Sequence, residues 1–159
     1  MTAVADLPAS VDAHPALERA RQAAREAQLP YAGIVAPQDA WALVQAGLAQ
    51  LVDVRTAEER KFVGQVPGSL HVAWATGTAL TRNPRFVREL EARIGGKHTV
   101  ALLLCRSGKR SAAAAEAAAA AGFANVFNVG EGFEGDLDAA QQRGHVNGWR
   151  RRALPWTQD

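Results

Sequence analysis

The stretch Thr99-Val100-Ala101-Leu102-Leu103-Leu104-Cys105-Arg106-Ser107-Gly108-Lys109-Arg110-Ser111 is followed by an alanine run, 112–121, broken only by Glu116. Thr99–Leu104 predicts a strand with an uninterrupted apolar run, the kind buried on both faces of a parallel sheet. The alanines predict a helix that begins directly after Ser107-Gly108 and ends at Gly122, with small side chains that let it lie close to that sheet. Strand, tight glycine-containing turn and helix in this order form half of a βαβ unit, which implies an α/β fold. Ligands in such folds bind outside the carboxyl ends of the strands, and Cys105 occupies such an end.

The same α/β rhythm extends outward in both directions. Toward the N-terminus, Asn83-Pro84 opens a predicted helix through Ile94 that stops at Gly95-Gly96. Leu70–Val72 reads as a short strand after the Pro67-Gly68 turn. Leu51–Val54 is a strand running into Asp53 and Arg55, and Thr56-Ala57-Glu58-Glu59 is a capping box that starts a helix at once. Pro37 leads a helix over Gln38–Gln45 with Trp41, Leu43 and Val44 facing inward, and Gly33–Val35 is a brief apolar segment before it. Ala13–Gln28 predicts an N-terminal helix with Leu17, Ala20, Ala24 and Ala27 in one thin apolar stripe and a basic face toward water; residues 1–12 read as a loose end. Toward the C-terminus, Asn125–Val129 is another strand. The expectation is a three-layer fold: a central parallel sheet with helices on both faces, divided into an N-terminal helical extension, 1–30, and one domain, 31–159.

Composition narrows the function. The chain has 159 residues, 34 of them alanine, with 48% apolar and 21% charged residues, which suits one globular domain and not a disordered chain. Eighteen Lys+Arg against sixteen Asp+Glu leave a net charge of +2, too small a surplus to neutralise a run of phosphates, so no nucleic-acid partner is expected. A single cysteine excludes an internal disulfide and any multi-cysteine zinc or iron–sulfur site. His14, His71, His98 and His145 have no metal-ligand spacing. The start of the chain lacks the basic and apolar regions of a secretory signal, and no apolar run approaches the ~20 residues that span a bilayer. The chain therefore reads as cytoplasmic with no membrane partner, in a compartment where a thiol stays reduced.

The chemistry concentrates in 105–111. A helix start presents unpaired N–H groups and partial positive charge. Gly108 lets the backbone curl into an anion-binding nest. Arg106, Lys109 and Arg110 add formal charge. Each of these favours thiolate over thiol at Cys105, and each favours an incoming anion. A cysteine that is merely the last core residue of its strand is the bland alternative, and it gains nothing from three cations and a glycine in the next five residues. The stretch is not a nucleotide phosphate loop, because the glycine required five residues before Gly108 is Leu103. Arg150-Arg151-Arg152 reads as a solvated tail, with Trp149 and Trp156 packing their indoles on the domain.

The loop CRSGKRS after VALLL resembles the active-site loop of single-domain rhodaneses, which are sulfurtransferases. LVDVRTAEE (51–59), FVGQVPGSLHV (62–72), GFANVFNVGEGFEG (122–135) and WRRRALPW (149–156) resemble further segments of that family in the same order. One departure is Gln65, where the family commonly has a histidine of mainly structural role. The resemblance implies a Cys105 nucleophile that accepts sulfur from a small anionic donor such as thiosulfate and passes it to cyanide or a thiol, a protein thiol included. It further implies that loop residues Arg106, Ser107, Gly108, Lys109 and Arg110 bind substrate, that no metal or organic cofactor takes part, and that Asp53 and Arg55 are structural. His71, after the Pro-Gly turn, is a residue that could approach the site. Rival readings are a non-turnover sulfur carrier or binding module and, less favoured, a cysteine-dependent phosphatase or arsenate reductase. The latter loops resemble Cys-x5-Arg, one residue longer than the Cys-x4-Arg from Cys105 to Arg110.

Overall fold

The computed structural model describes residues 14–159; the expected loose end, 1–12, lies outside them. In chain order the elements are α1 (Pro15–Ala27), β1 (Gly33–Val35), α2 (Pro37–Gln45), β2 (Gln50–Asp53), α3 (Ala57–Phe62), β3 (Leu70–His71), β4 (Ala75–Thr76), β5 (Thr81–Arg82), α4 (Phe86–Ile94), β6 (Ala101–Leu104), α5 (Lys109–Ala120) and β7 (Val126–Val129). Five strands form one parallel sheet in the order β1-β7-β6-β2-β3. The apolar strand β6 is therefore central, and all four of its residues are buried.

Alternation along β6 separates two cores. Leu102 and Leu104 pack with Leu17 of α1, Ala40 and Leu43 of α2, and Phe127, Phe133 and Trp149. Ala101, Leu103 and Cys105 face the opposite side, against Phe86, Leu90 and Ile94 of α4 and Ala114, Ala115 and Ala118 of α5. These are the expected three layers. Leu17 shares the first core with β6, so α1 is packed into the same body as the sheet. Close approach there needs Gly33, where a Cβ would lie 2.6 Å from the Ala20 carbonyl oxygen.

Local chemistry accounts for most element ends. The Thr56–Glu59 capping box forms in both directions at the start of α3. Helix α4 begins at Phe86, later than expected at Asn83-Pro84. Asn83 instead makes a turn, its Oδ1 accepting the Arg85 N–H at 3.0 Å and its Nδ2 donating to the Ala73 carbonyl at 2.9 Å. In α1 the buried stripe is Ala16, Leu17, Ala20 and Ala24; Ala27 is exposed. The basic face is not wholly in water, since Arg21 donates to Asn125 Oδ1 at 2.5 Å and lies over the Phe127 ring.

One feature was absent from the expectation, and a second develops the expected packing of the tail indoles on the domain. Strands β4 and β5 form an antiparallel hairpin, Ala75 opposite Arg82 and Thr76 opposite Thr81, beside the carboxyl end of the sheet. The C-terminal segment is a strap: Trp149 is fully buried, its Nε1 donates to the Pro155 carbonyl at 2.8 Å, and Thr157 exchanges two 2.8 Å backbone hydrogen bonds with Gln65. Arg150 lies over Phe133 and Trp156, Arg152 pairs with Glu131 at 2.9 Å, and Arg151 Nε donates to the His145 carbonyl at 3.4 Å, so all three tail arginines are engaged with the domain.

Candidate active site

Strand β6 ends in the loop at the centre of the sheet's carboxyl edge, with β7 on one side and β2 on the other. The loop's position is set by the segment after β7. The Phe133 N–H donates to the Cys105 carbonyl at 2.7 Å; the N–H groups of Glu134 and Gly135 donate to the Arg106 carbonyl at 2.9 and 3.2 Å. Gly132 makes this approach feasible, since a Cβ there would collide with the Arg106 carbonyl, and its φ of +73° disfavours other residues.

Within the loop, Gly108 caps α5 in a left-handed conformation, φ +101°. That turn aims its N–H at Cys105 Sγ, 3.1 Å away. Sγ also lies 3.2 Å from Ser111 Oγ, one turn into the helix. Cys105 itself is buried, and its sulfur sits beneath a loop whose outer residues reach water. Arg106 and Lys109 are exposed, Ser107 and Gly108 half-buried. The structure thus brings Cys105, the Gly108 N–H and the start of α5 to one centre.

Arg110 differs from the other two cations. It forms a bidentate pair with Glu59, Nη1 to Oε1 at 2.7 Å and Nη2 to Oε2 at 2.8 Å. Burial alone would raise the Glu59 carboxyl. Hydrogen bonds from Arg110 and from the Thr56 N–H, with the charges of Arg110 and Arg55, instead hold it down at about 2. The same pairing raises Arg110 above its ordinary value against the effect of burial, with a further contribution from Cys105. Glu59 was legible as a helix cap; its second task, neutralising a cation of the cysteine loop, was not. Asn128 was also missed. Its amide, 5% exposed in β7, accepts the Ser111 hydroxyl and donates to the Gly108 carbonyl.

Asp53 and Arg55 are fully buried and paired at 2.8 Å, and Arg55 also donates to the Gly64 carbonyl at 2.6 Å. Arg60 joins them at Asp53 Oδ2, 3.0 Å, and donates to Gln65 Oε1. Gln65 thus anchors the arginine that completes this buried network. His71 Nε2 lies 2.7 Å from the Arg55 carbonyl, turned into the same network; it does not line the cleft beside the cysteine loop.

A cleft of about 400 Å³ opens beside the loop. Arg106, Arg110 and Arg143 line it together with Glu58, Glu59 and Glu134, and Val63 and the hairpin residue Leu80 supply apolar wall. Among the described residues no group of three or more His, Cys, Asp or Glu could hold a metal ion, and no helix is long and apolar enough to cross a membrane.

A three-layer α/β domain with a cysteine at the end of its central strand, held in the nest at a helix start, defines the class of protein. A family profile described as Rhodanese-like domain matches residues 36–139, and the chain belongs to that family. RP600 of Rickettsia prowazekii, named as an uncharacterized protein, is 38% identical over 109 residues, 68% of this chain and 82% of the relative. The crystal structure of Rv0390 from M. tuberculosis superposes with a TM-score of 0.72 at 43% identity, covering 81% of this chain and 99% of that one. Thiosulfate sulfurtransferase of Pseudomonas aeruginosa shares the fold at a TM-score of 0.60 and 18% identity, over 91% of this chain and 23% of that protein.

Proposed function

We propose that this protein is a sulfurtransferase that moves a sulfane sulfur from thiosulfate or a persulfide donor to a thiol or cyanide through a persulfide on Cys105. The observation that carries this reading is the Gly108 N–H aimed at Sγ from a left-handed glycine at the helix start. In the first half-reaction the Cys105 thiolate attacks the outer sulfur of the donor. The donor's S–S bond breaks, and sulfite or a thiolate leaves with the bonding pair. In the second, the acceptor attacks the outer sulfur of the enzyme persulfide and the Cys105 thiolate departs, a covalent two-step course.

Loop N–H groups from Arg106 to Arg110 hold the outer sulfur's charge. Arg106 and Lys109, whose side chains have no ion-pair partner among the described residues, meet an anionic donor. Arg110 contributes less charge than its position suggests, because Glu59 already balances it. The reduced thiol this chemistry needs suits a cytoplasmic setting. A second reading, sulfur carriage to a protein thiol, is favoured by Leu80, 48% exposed at the cleft. The Cys-x4-Arg spacing speaks against phosphate ester hydrolysis.

Intact mass tests the proposal. Incubation with thiosulfate or a small persulfide should add one sulfur atom, removed again by cyanide or a thiol and never gained by Cys105→Ser, which should fold normally. A mass gain that survives in Cys105→Ser, or Cys105-dependent hydrolysis of an aryl phosphate without any sulfur gain, would overturn it.

A further inference from the structure

Asn128 is a buried amide in the middle of β7, all of whose residues are buried, a position where an apolar side chain would ordinarily stand. Its two ends are both used. Nδ2 donates to the Gly108 carbonyl at 3.1 Å, which fixes the amide's orientation and leaves Oδ1 facing Ser111, whose hydroxyl lies 2.5 Å away. An amide oxygen cannot donate, so the single proton of Ser111 lies between Oγ and Oδ1. Toward Cys105 Sγ, 3.2 Å away on its other side, Ser111 then presents only lone pairs.

A thiol satisfies this arrangement by donating S–H to Ser111, making a continuous chain from sulfur to hydroxyl to amide. A thiolate does not. Either it faces the lone pairs of Oγ, or the Ser111 proton swings to the sulfur and leaves Asn128 Oδ1 buried without a donor. We propose that Asn128, acting through the one proton of Ser111, is a positioning residue that disfavours the Cys105 thiolate relative to the thiol. This rests on the reading of Cys105 as the sulfur-accepting nucleophile. In the persulfide the formal charge sits on the outer sulfur, so Sγ asks nothing of Ser111 and the Ser111–Asn128 bond persists. The relay therefore penalises only the empty thiolate. A thiolate stabilised less strongly is also the better nucleophile.

The charged groups around the cysteine loop come from several elements: Arg106 of the loop, Lys109 and Arg110 of α5, Glu58 and Glu59 of α3, Asp53 of β2, and Glu134 and Arg143 beyond β7. Strand β7 itself carries no titratable group. None of these is altered by substitution at 111 or 128, so their effect on the sulfur stays in place while the relay is removed.

The test is the pH dependence of Cys105 alkylation by iodoacetamide, with no sulfur donor present, so it is independent of whether a persulfide forms. Asn128→Leu removes the competing acceptor and should lower the pH midpoint of alkylation by about one pH unit, the worth of one buried hydrogen bond. Asn128→Ala, a second acceptor-free variant should the leucine not fold, should move it in the same direction. Asn128→Asp also loses the tie to Gly108 but keeps an acceptor, and should leave the midpoint unchanged or raise it. In a Ser111→Ala background, Asn128→Leu should produce no further shift. An unchanged or raised midpoint in both acceptor-free variants overturns the proposal. So does the same downward shift in Asn128→Asp, or in the Ser111→Ala background, because either would trace the effect to loop geometry and not to the Ser111 proton.

Discussion

Glu59→Gln separates two roles of one side chain, because glutamine keeps one acceptor for the Thr56 N–H and loses the charge and the second acceptor that face Arg110. The carboxyl is held at about 2 instead of its ordinary 4.5. That difference corresponds to about 3 kcal/mol at neutral pH. The pair is 16% and 18% exposed, so solvent screening reduces the expectation to about 2 kcal/mol. The folded-state value is lowered, so this contribution is fully present above pH 4.5 and is lost as the pH falls toward 2. Urea unfolding of wild type and Glu59→Gln should therefore show the variant about 2 kcal/mol weaker at pH 7, with the gap closing between pH 4.5 and 2. The same variant leaves Arg110 uncompensated at the cleft, and its KM for thiosulfate should fall. A stability gap that is the same at pH 2 and pH 7 would refute the electrostatic argument.

Two substitutions probe how the loop is held. Gly132→Ala places a methyl group against the Arg106 carbonyl at a φ of +73°; it should cost at least about 2 kcal/mol in unfolding free energy and slow sulfur loading of Cys105, read by urea titration and intact mass. Trp149→Ala empties a fully buried site beside Trp41 and Phe133 and should cost about 3–5 kcal/mol by urea unfolding; a loss under 1 kcal/mol would show that the C-terminal strap is not part of the core.

Periodicity made the long elements legible. The buried run 101–104, the alanine helix after it and the capping box at Thr56 are local signals, each contained in a few adjacent residues. Strands β4 and β5 have only two residues apiece, too few for an alternating pattern, and they owe their pairing to neighbouring packing: Arg82 lies over the Trp74 ring, which meets Phe86 edge-on. The late start of α4 follows from the Asn83 side chain reaching back to Ala73, a bond that rivals a helical start there. The buried Trp149 was expected to pack on the domain. Its neighbours were not foreseeable, because the strap carries no helix or strand pattern.

The site divides in the same way. Cysteine, glycine and three cations stand next to one another in the chain, so the linear order alone determined that a thiol would sit at a strand end under a cationic helix start. It could not determine what each charge and each proton is already doing. The sheet order places β2 and β7 on either side of β6, and this brings Glu59 to Arg110 across 51 residues and Asn128 to Ser111 across 17. One contact neutralises a cation that reads as free, and the other occupies the single proton beside the sulfur. Only tertiary structure decides these, because a hydrogen bond or ion pair depends on separations of about 3 Å in space, and separation along the chain does not fix them.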